Sequence, residues 1–376
     1  MGIILGIVPV IYILGLAVLY GSWRKLRSNP AGNFTGEKVC VIIPVRNEEK
    51  NITALLTDID LQDYPANNFE VIVADDGSTD RTASIVREMI GKVKFRLNYL
   101  RQVQGDRAGQ ESGKKKMITR AIGTTEAAVI LLTDGDCRVG DQWIRTMTTA
   151  FSDKEVHFAA GPVIYHRGTS FANNLLQLDL SGLLVTSAAL IGLKIPVMGN
   201  GANMAYRKSS FQQSGGYSGN TGVASGDDSF IMHSIGRRFP GSIRFVKDRD
   251  ALVYTSSPVT WKDFLHQRIR WSAKWKLHHD LSIKILAVFI FLVNLSFLLL
   301  AAWSVVSFHC RLLIVLMGLK MISECFLLKS YFRFAGLSFR WPAFIFASFF
   351  YSLYAVFFGI LANSATFTWK GRTYKS

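Results

Sequence analysis

The feature that most restricts this chain is an uncharged apolar run from Ile3 to about Tyr20, close to the roughly 20 residues a helix needs to cross a bilayer. A cleaved leader would carry positive charge ahead of that run and small residues at a cleavage site. Here Arg24, Lys25 and Arg27 follow it instead. Residues 1–24 are therefore expected to be a retained transmembrane anchor. Basic residues mark the cytoplasmic flank of a span, so the N-terminus faces out and the chain beyond Arg24 is cytosolic.

Three further apolar stretches lie near the end: Ile283 to Ser307, Leu312 to Leu328, and Pro342 to Leu361. The first and last read as spans. The middle one carries Lys320 and Glu324, four apart on one helical face, where they can pair; it either spans with that face against protein or lies in the interface. These stretches define a C-terminal membrane region, 281–364, with a basic tail at 365–376. Four simple crossings would put Lys370, Arg372 and Lys375 outside, and the loop with Lys329, Arg333 and Arg340 also prefers the inside. One segment is thus expected to be re-entrant or interfacial. The predicted location is the cell (inner) membrane, multi-pass, with the stretch between the apolar ends cytoplasmic.

A hydrophobic fraction of 49% fits that reading. The formal net charge is +16, from 43 basic against 27 acidic residues. No nucleic-acid-binding motif accompanies it and the charges form no single block. An anionic leaflet plus a polyanionic ligand account for the excess. Cys40, Cys137, Cys310 and Cys325 show no metal-ligand spacing. Two fall in the cytosolic part, where disulfides are rare, and all four are read as thiols.

Between the apolar ends, short β-rich runs alternate with helical ones. Val39 to Val45 is nearly continuous in apolar residues, as in a strand buried on both faces. Helical spacing follows over Glu48 to Leu61, then a strand over Val71 to Ala74 and a helix over Thr79 to Ile90. A strand over Phe95 to Leu100, a helix over Lys114 to Ile122 and a strand over Val129 to Thr133 come next. Such alternation predicts an α/β fold with a mostly parallel sheet. Ligands in such sheets sit at the carboxyl ends of the strands.

Polar clusters fall at those ends. The first is Pro44-Val45-Arg46-Asn47-Glu48 and the second Asp75-Asp76-Gly77-Ser78-Thr79-Asp80. Capping explains the Ser and Gly. It does not explain two adjacent carboxylates, which suit a base carrying an imide N–H. The third is Thr133-Asp134-Gly135-Asp136. It is either an Asx turn or a pair of carboxylates for Mg²⁺ or Mn²⁺, which complete their shells with phosphate and water. Gly226-Asp227-Asp228 precedes a helical pattern; one acid can cap that helix and the other can act as general base. Gln267-Arg268-Ile269-Arg270-Trp271 lies in a basic, aromatic segment, 261–280, that reads as an amphipathic interface helix. A guanidinium fork there suits a diphosphate. Phe171 to Ala205 is an apolar helical stretch and then a Gly/Asn turn. It is read as a core helix of the domain or as the lining of an acceptor channel, with Asn200, Gly201 and Asn203 near the acceptor hydroxyl.

The series PVRNE, DDGSTD, SGKKK, TDGD, GDD and QRIRW, over roughly Val39 to Lys276, resembles the family-2 glycosyltransferases. The terminal Trp369-Lys370-Gly371-Arg372 is similar to tails of membrane members such as ceramide and carotenoid glycosyltransferases. The resemblance implies a GT-A fold over 37–260 and an inverting hexosyltransferase reaction. A nucleotide diphosphate sugar, commonly UDP-linked, would donate to a hydroxyl of a lipid or glycan acceptor. Pro44, Arg46, Glu48, Asp75, Asp76, Lys114, Asp134, Gln267, Arg270 and Trp271 would bind the donor. Asp134 and Asp136 would hold a divalent Mg or Mn ion, with Asp136 the more direct ligand. Asp228 and Asp227 would be the catalytic acidic pair, with Asp228 the general base. Asp227 stands where many members have Glu. A processive β-polysaccharide synthase shares these motifs, although it usually needs more spans. A nucleotide-sugar-binding scaffold would not need every acid, and a transporter would place its acids in the spans.

Overall fold

The computed structural model describes residues 2–27, 36–102, 113–166, 168–218, 226–273, 281–361, 366–369 and 372–375. The chain divides into two compact units, an α/β unit of Leu26–His166 and Leu190–Ser256, and a helical unit of Met1–Lys25, Arg167–Ala189 and Ser257–Ser376. Of the motifs, Ser112 and the Lys370-Gly371 pair lie outside the described residues.

The α/β unit opens with β1 (Val39–Val45), whose seven side chains are all buried. There follow α2 (Ile52–Asp60), β2 (Phe69–Asp75), α3 (Thr82–Met89), β3 (Arg96–Arg101), α4 (Gly113–Thr124) and β4 (Val129–Leu132). Next come β5 (Arg138–Val139), α5 (Trp143–Thr149), β6 (Phe158–Ala160) and β7 (Val163–Tyr165). In the helical unit, α1 (Gly2–Lys25) precedes all of these, and α6 (Phe171–Gly192) starts there before the chain re-enters the α/β unit. That unit is completed by β8 (Met204–Arg207), α7 (Lys208–Gln213), α8 (Asp227–Arg238), β9 (Ile243–Phe245) and β10 (Val253–Thr255). The main sheet has the order β3-β2-β1-β4-β8-β6-β9, and a smaller one the order β5-β10-β7. β3, β2, β1 and β4 run parallel, while β8 is antiparallel to both β4 and β6.

The predicted parallel α/β order is thus present, and two helices start later than their apolar spacing suggests. Asn47 has φ 55°, and the Glu48 carbonyl accepts from the amides of Asn51 and Ile52 at 3.0 Å. This makes residues 48–51 a turn and delays α2. Ser78 and Thr79 bond to Asn47, and the Asp80 side chain accepts from the Thr82 amide at 3.0 Å. Helix α3 accordingly starts at Thr82.

The helical unit continues with α9 (Trp261–Ala273), α10 (Leu281–Ser307), α11 (Arg311–Phe334), α12 (Trp341–Leu361) and the hairpin β11 (Thr366–Trp369) and β12 (Arg372–Lys375). Val293, Phe297 and Leu300 of α10 pack with Leu316 of α11 and with Leu5, Val8 and Ile13 of α1. Leu178 of α6 packs with Phe332 of α11 and Phe344 of α12. The expected 37–260 stretch is therefore interrupted, because most of α6 buries its apolar face among these helices.

Leu5–Lys25, Phe171–Gly192, Ile283–Ser307 and Trp341–Leu361 are long and apolar enough to cross a membrane. Helix α11 carries Lys320 bonded to Glu324 at 2.9 Å, and Glu324 also accepts from the Tyr12 hydroxyl at 2.9 Å. The charged pair foreseen on one face of α11 is thus formed and turned against α1.

Candidate active site

Strand order reverses between β1 and β4, since β2 and β3 lie on one side of β1 and β4 on the other. The ladder between them ends at Ile42 and Leu132. Pro44, which lacks a backbone donor, sits past that end and still pairs in register with Ala74 of β2. The turns that follow β1, β2 and β4 come together there, at the carboxyl edge of the sheet, the usual place of a ligand crevice in such folds. Asp75 closes β2 level with Val45, and Asp134 follows the end of β4.

The two acids of the second cluster differ in their surroundings. Asp75 is fully buried, and its Oδ1 accepts from the Ser78 amide and hydroxyl, both at 2.7 Å. Its Oδ2 accepts from the Tyr99 hydroxyl of β3. Burial, together with that bond and the Asp75 charge, pushes the Tyr99 phenol well up, so it remains a donor. Asp75 therefore shapes the turn as well as lining it, and sequence reasoning missed Tyr99. At Asp76, Arg46 Nη1 donates to the backbone carbonyl at 2.7 Å and lies 3.9 Å from the carboxylate. Gly113, which opens α4, approaches so closely that an added Cβ would stand 1.8 Å from Asp76 Oδ1. Only glycine fits that approach.

The next residue, Lys114, joins the remaining motifs. Its Nζ lies 2.8 Å from Asp134 Oδ1 and 3.3 Å from Asp227 Oδ2. Burial pulls this ammonium toward neutrality, but Asp134 and Asp227, then Asp228, outweigh it and hold its pKa above the ordinary lysine value. Gly135 lets the Asp134–Asp136 turn settle on β1: a Cβ there would lie 2.9 Å from Val45 Cγ1 and 3.0 Å from Glu48 Cγ. Glu48 is itself buried, with Oε2 accepting from Asn51 at 2.8 Å, so it supports the turn from beneath.

Asp227 and Asp228 form the first turn of α8 after Gly226, whose φ is 83°. Anionic side chains are favoured there by the unpaired amides and the helix dipole. Asp228 Oδ1 accepts from the Ser229 amide at 2.7 Å. The loop ahead of β8 presses on this turn, since a Cβ at Gly199 would lie 2.9 Å from the Asp228 carbonyl carbon. Gly201 faces Lys114 Nζ and Asp227 Oδ2 at ordinary contact distance.

Asn203 differs from the expectation that it approaches the acceptor. It is fully buried, accepts from the Trp143 indole at 3.1 Å, and donates to the carbonyls of Pro162 at 2.8 Å and Ala251 at 2.7 Å. Its amide ties the scaffold together beneath the crevice.

Gln267, Arg270 and Trp271 lie on α9 in the helical unit. The neighbouring Arg268, which sequence reasoning passed over, is 3% exposed and paired with Asp179 of α6. Its guanidinium stands 4.5 Å from the centroid of the Trp271 ring, a cation–π distance. Ile269 of α9 packs on Phe358 of α12.

Among the described residues no group of three or more His, Cys, Asp or Glu side chains forms a closed ligand set. Asp134 and Asp136 are partly exposed hard oxygen donors on one turn. That chemistry fits a Mg²⁺ or Mn²⁺ ion that takes the rest of its shell from phosphate and water.

The model of the glycosyl transferase family 2 matches residues 40–215, and that of the glycosyl transferase family group 2 matches residues 129–367. Glycosyltransferase AglE of Haloferax volcanii is 32% identical over 125 residues, 33% of this chain and 39% of that protein. Beta-monoglucosyldiacylglycerol synthase of Nostoc sp. is 27% identical over 153 residues, 41% of this chain and 31% of that protein. The chain thus spans well under two thirds of the length of these curated relatives. Among solved structures, the mannosyltransferase PcManGT from Pyrobaculum calidifontis, in complex with GDP-Man and Mn²⁺, has a TM-score of 0.60 at 18% identity, over 94% of this chain and 99% of that one. That similarity establishes a shared fold.

Proposed function

The chain belongs to the family-2 glycosyltransferases, and from that premise we propose that it transfers a sugar, inverting the anomeric centre, from a nucleotide diphosphate donor such as a UDP-hexose to a hydroxyl of a lipid acceptor at the cytoplasmic membrane face. The observation that carries this reading is the meeting of three acidic motifs at the carboxyl edge of the sheet. Asp76 lies against Gly113, and Asp134 and Asp227 both lie on Lys114.

In this reading Asp75 and Asp76 hold the base and ribose, Pro44, Arg46 and Glu48 shape that pocket, and Lys114 contacts the diphosphate. Gln267, Arg270 and Trp271 bind donor and acceptor. Asp134 and Asp136 would hold a divalent cation, which would supply positive charge to the departing diphosphate. Asp228 takes the proton from the acceptor hydroxyl, whose oxygen bonds to the anomeric carbon as the bond from that carbon to the diphosphate oxygen breaks. An α-linked donor then gives a β-glycoside. Asp227 keeps Lys114 in register with this centre. A lipid acceptor is supported by four helices of spanning length and apolarity, and by similarity to a protein named for a glucosyldiacylglycerol product.

The test is a transfer assay on the full chain in lipid nanodiscs, with a panel of radiolabelled nucleotide sugars and Mn²⁺ or Mg²⁺, beside Asp228→Asn. Label in a discrete organic-soluble product, lost in the variant, is the expected result. Label in a high polymer would replace this reading with a polysaccharide synthase, and no label from any donor would refute transfer.

A further inference from the structure

We propose that Lys114 is a resident counter-cation that occupies the centre between Asp134 and Asp227 before the donor arrives, so that the divalent ion enters only together with a nucleoside diphosphate. This rests on the reading of Asp134 and Asp136 as the metal carboxylates and adds an order of binding to it.

The geometry carries the argument. One ammonium lies within 3.3 Å of carboxylate oxygens from two motifs 93 positions apart in sequence. Lys114 is held there by its place on the first turn of α4, behind Gly113, whose α-carbon is fixed against Asp76. From the other side, Gly201 closes on both Nζ and Asp227. The lysine side chain is 16% exposed, that of Asp227 12% and that of Asp134 35%. A small, strongly hydrated dication approaching Asp134 alone would meet a like charge already bonded to the oxygen it seeks. Shielding by solvent is weak at this burial.

A nucleoside diphosphate changes that balance. It brings oxygens that ligate the ion and a negative charge that draws the lysine off Asp134. Lys114 then exchanges one anionic partner for another, and Asp134 is released to the ion. Asp227 retains the lysine throughout, which gives a carboxylate next to the general base a role without any proton transfer.

The experiment measures Mn²⁺ uptake by the full chain in nanodiscs, through loss of the free-ion electron paramagnetic resonance signal, first without nucleotide. Lys114→Met is expected to bind Mn²⁺ at least ten-fold more tightly than the unaltered chain. Lys114→Arg keeps the charge and is expected to bind as weakly as the unaltered chain, which separates charge from damage to the fold. Equal affinity of the unaltered chain and Lys114→Met would overturn the inference. Measurement is then repeated with UDP and GDP, with protein-bound Mn²⁺ separated by rapid filtration. Uptake by the unaltered chain with one of them supports the order of binding. Failure with every nucleoside diphosphate, while Lys114→Met alone does take up Mn²⁺, would remove the coupling to donor. Failure of all variants under all conditions would instead refute the metal-site reading itself.

Discussion

Asn203 distinguishes a scaffold amide from an acceptor contact, and substitution there gives opposite results for the two. Its side chain accepts one bond, from the Trp143 indole, and donates two, to the carbonyls of Pro162 and Ala251, in a site with no solvent exposure. In Asn203→Ala the indole N–H and both carbonyls lose their partner. At about 1–3 kcal/mol for each orphaned buried group, with carbonyls toward the low end, the loss is about 3–5 kcal/mol. That is a large part of the roughly 5–15 kcal/mol that stabilises a domain. In Asn203→Asp the volume and the acceptor for Trp143 survive. However, a carboxylate oxygen then faces two carbonyl oxygens at hydrogen-bond distance, and a charge is buried without a cation. The isosteric change should therefore be the worse one. Thermal unfolding of the α/β unit within the full chain, followed by tryptophan fluorescence in nanodiscs, should give midpoints in the order Asn, Ala, Asp. The Ala variant should be lower than the unaltered chain by about 10 °C, at roughly 2–4 °C per kcal/mol for a unit of this size. If Asn203→Asp instead melted with the unaltered chain while its acceptor use changed, the amide would face the crevice and the reasoning would fail.

Gly113→Ala is expected to weaken nucleotide binding at least ten-fold in equilibrium dialysis, because its Cβ would stand 1.8 Å from Asp76 Oδ1; unchanged affinity would show that this approach does not shape the pocket. Arg268→Met leaves Asp179 buried without its partner and should cost about 3–5 kcal/mol. Adding Asp179→Leu should restore most of that loss, and additive costs in the thermal double-mutant cycle would argue against a coupled pair. His157 is stacked on Phe239 with centroids 3.9 Å apart, and its Nδ1 is 2.7 Å from Ser210 Oγ. Burial and then the Arg207 charge lower its pKa, so its contribution to stability is present above about pH 6.5 and is lost as pH falls through the lowered value. Unfolding midpoints from pH 7.5 to 5 should drop less in His157→Gln than in the unaltered chain, and equal drops would contradict the shift.

What could be read in the sequence was whatever rests on local pattern. Val39 to Val45 is apolar at almost every position, so its burial on both faces follows from composition, and the acids after β2 and β4 fall at strand ends by simple counting. The late starts of α2 and α3 could not be read, because they depend on bonds between residues 47–49 and 78–82, two turns brought together only when β1 and β2 pair side by side. The length of α6 was legible but not its company. Its polar interruptions read as a core helix or channel lining and not as an obvious span, although Phe171–Gly192 is long and apolar enough to cross a membrane, and Phe332 and Phe344, which pack against it, lie far later in the sequence. Tyr99 gave no signal, since an aromatic in a strand is ordinary until Asp75 is found beside it. Arg268 was hidden for a similar reason. In a basic helix one more arginine reads as a surface charge, and the carboxylate of Asp179, the one charged side chain of α6, shows where it points.

The crevice also alters the meaning of the chain's net charge of +16. A polyanionic ligand was one of two reasons offered for that excess, yet the described walls of the crevice are acidic. Asp76, Asp134, Asp136, Asp227 and Asp228 gather there above the buried Asp75, and Arg46 and Lys114 are in contact with these acids. Both are already engaged. Asp134 and Asp227 share one ammonium, so they are no more than about 6 Å apart, and without it would repel by about 3 kcal/mol at an effective dielectric near 20. A nucleoside diphosphate cannot be drawn to such walls by charge alone; it needs positive charge brought with it. Donor affinity should therefore depend steeply on divalent cation, while the surplus of lysine and arginine belongs elsewhere on the molecule. Arg24 and Lys25 at the end of α1, and Lys329, Arg333 and Arg340 around the end of α11, stand at the ends of long apolar helices. There an anionic leaflet is the partner that basic residues favour.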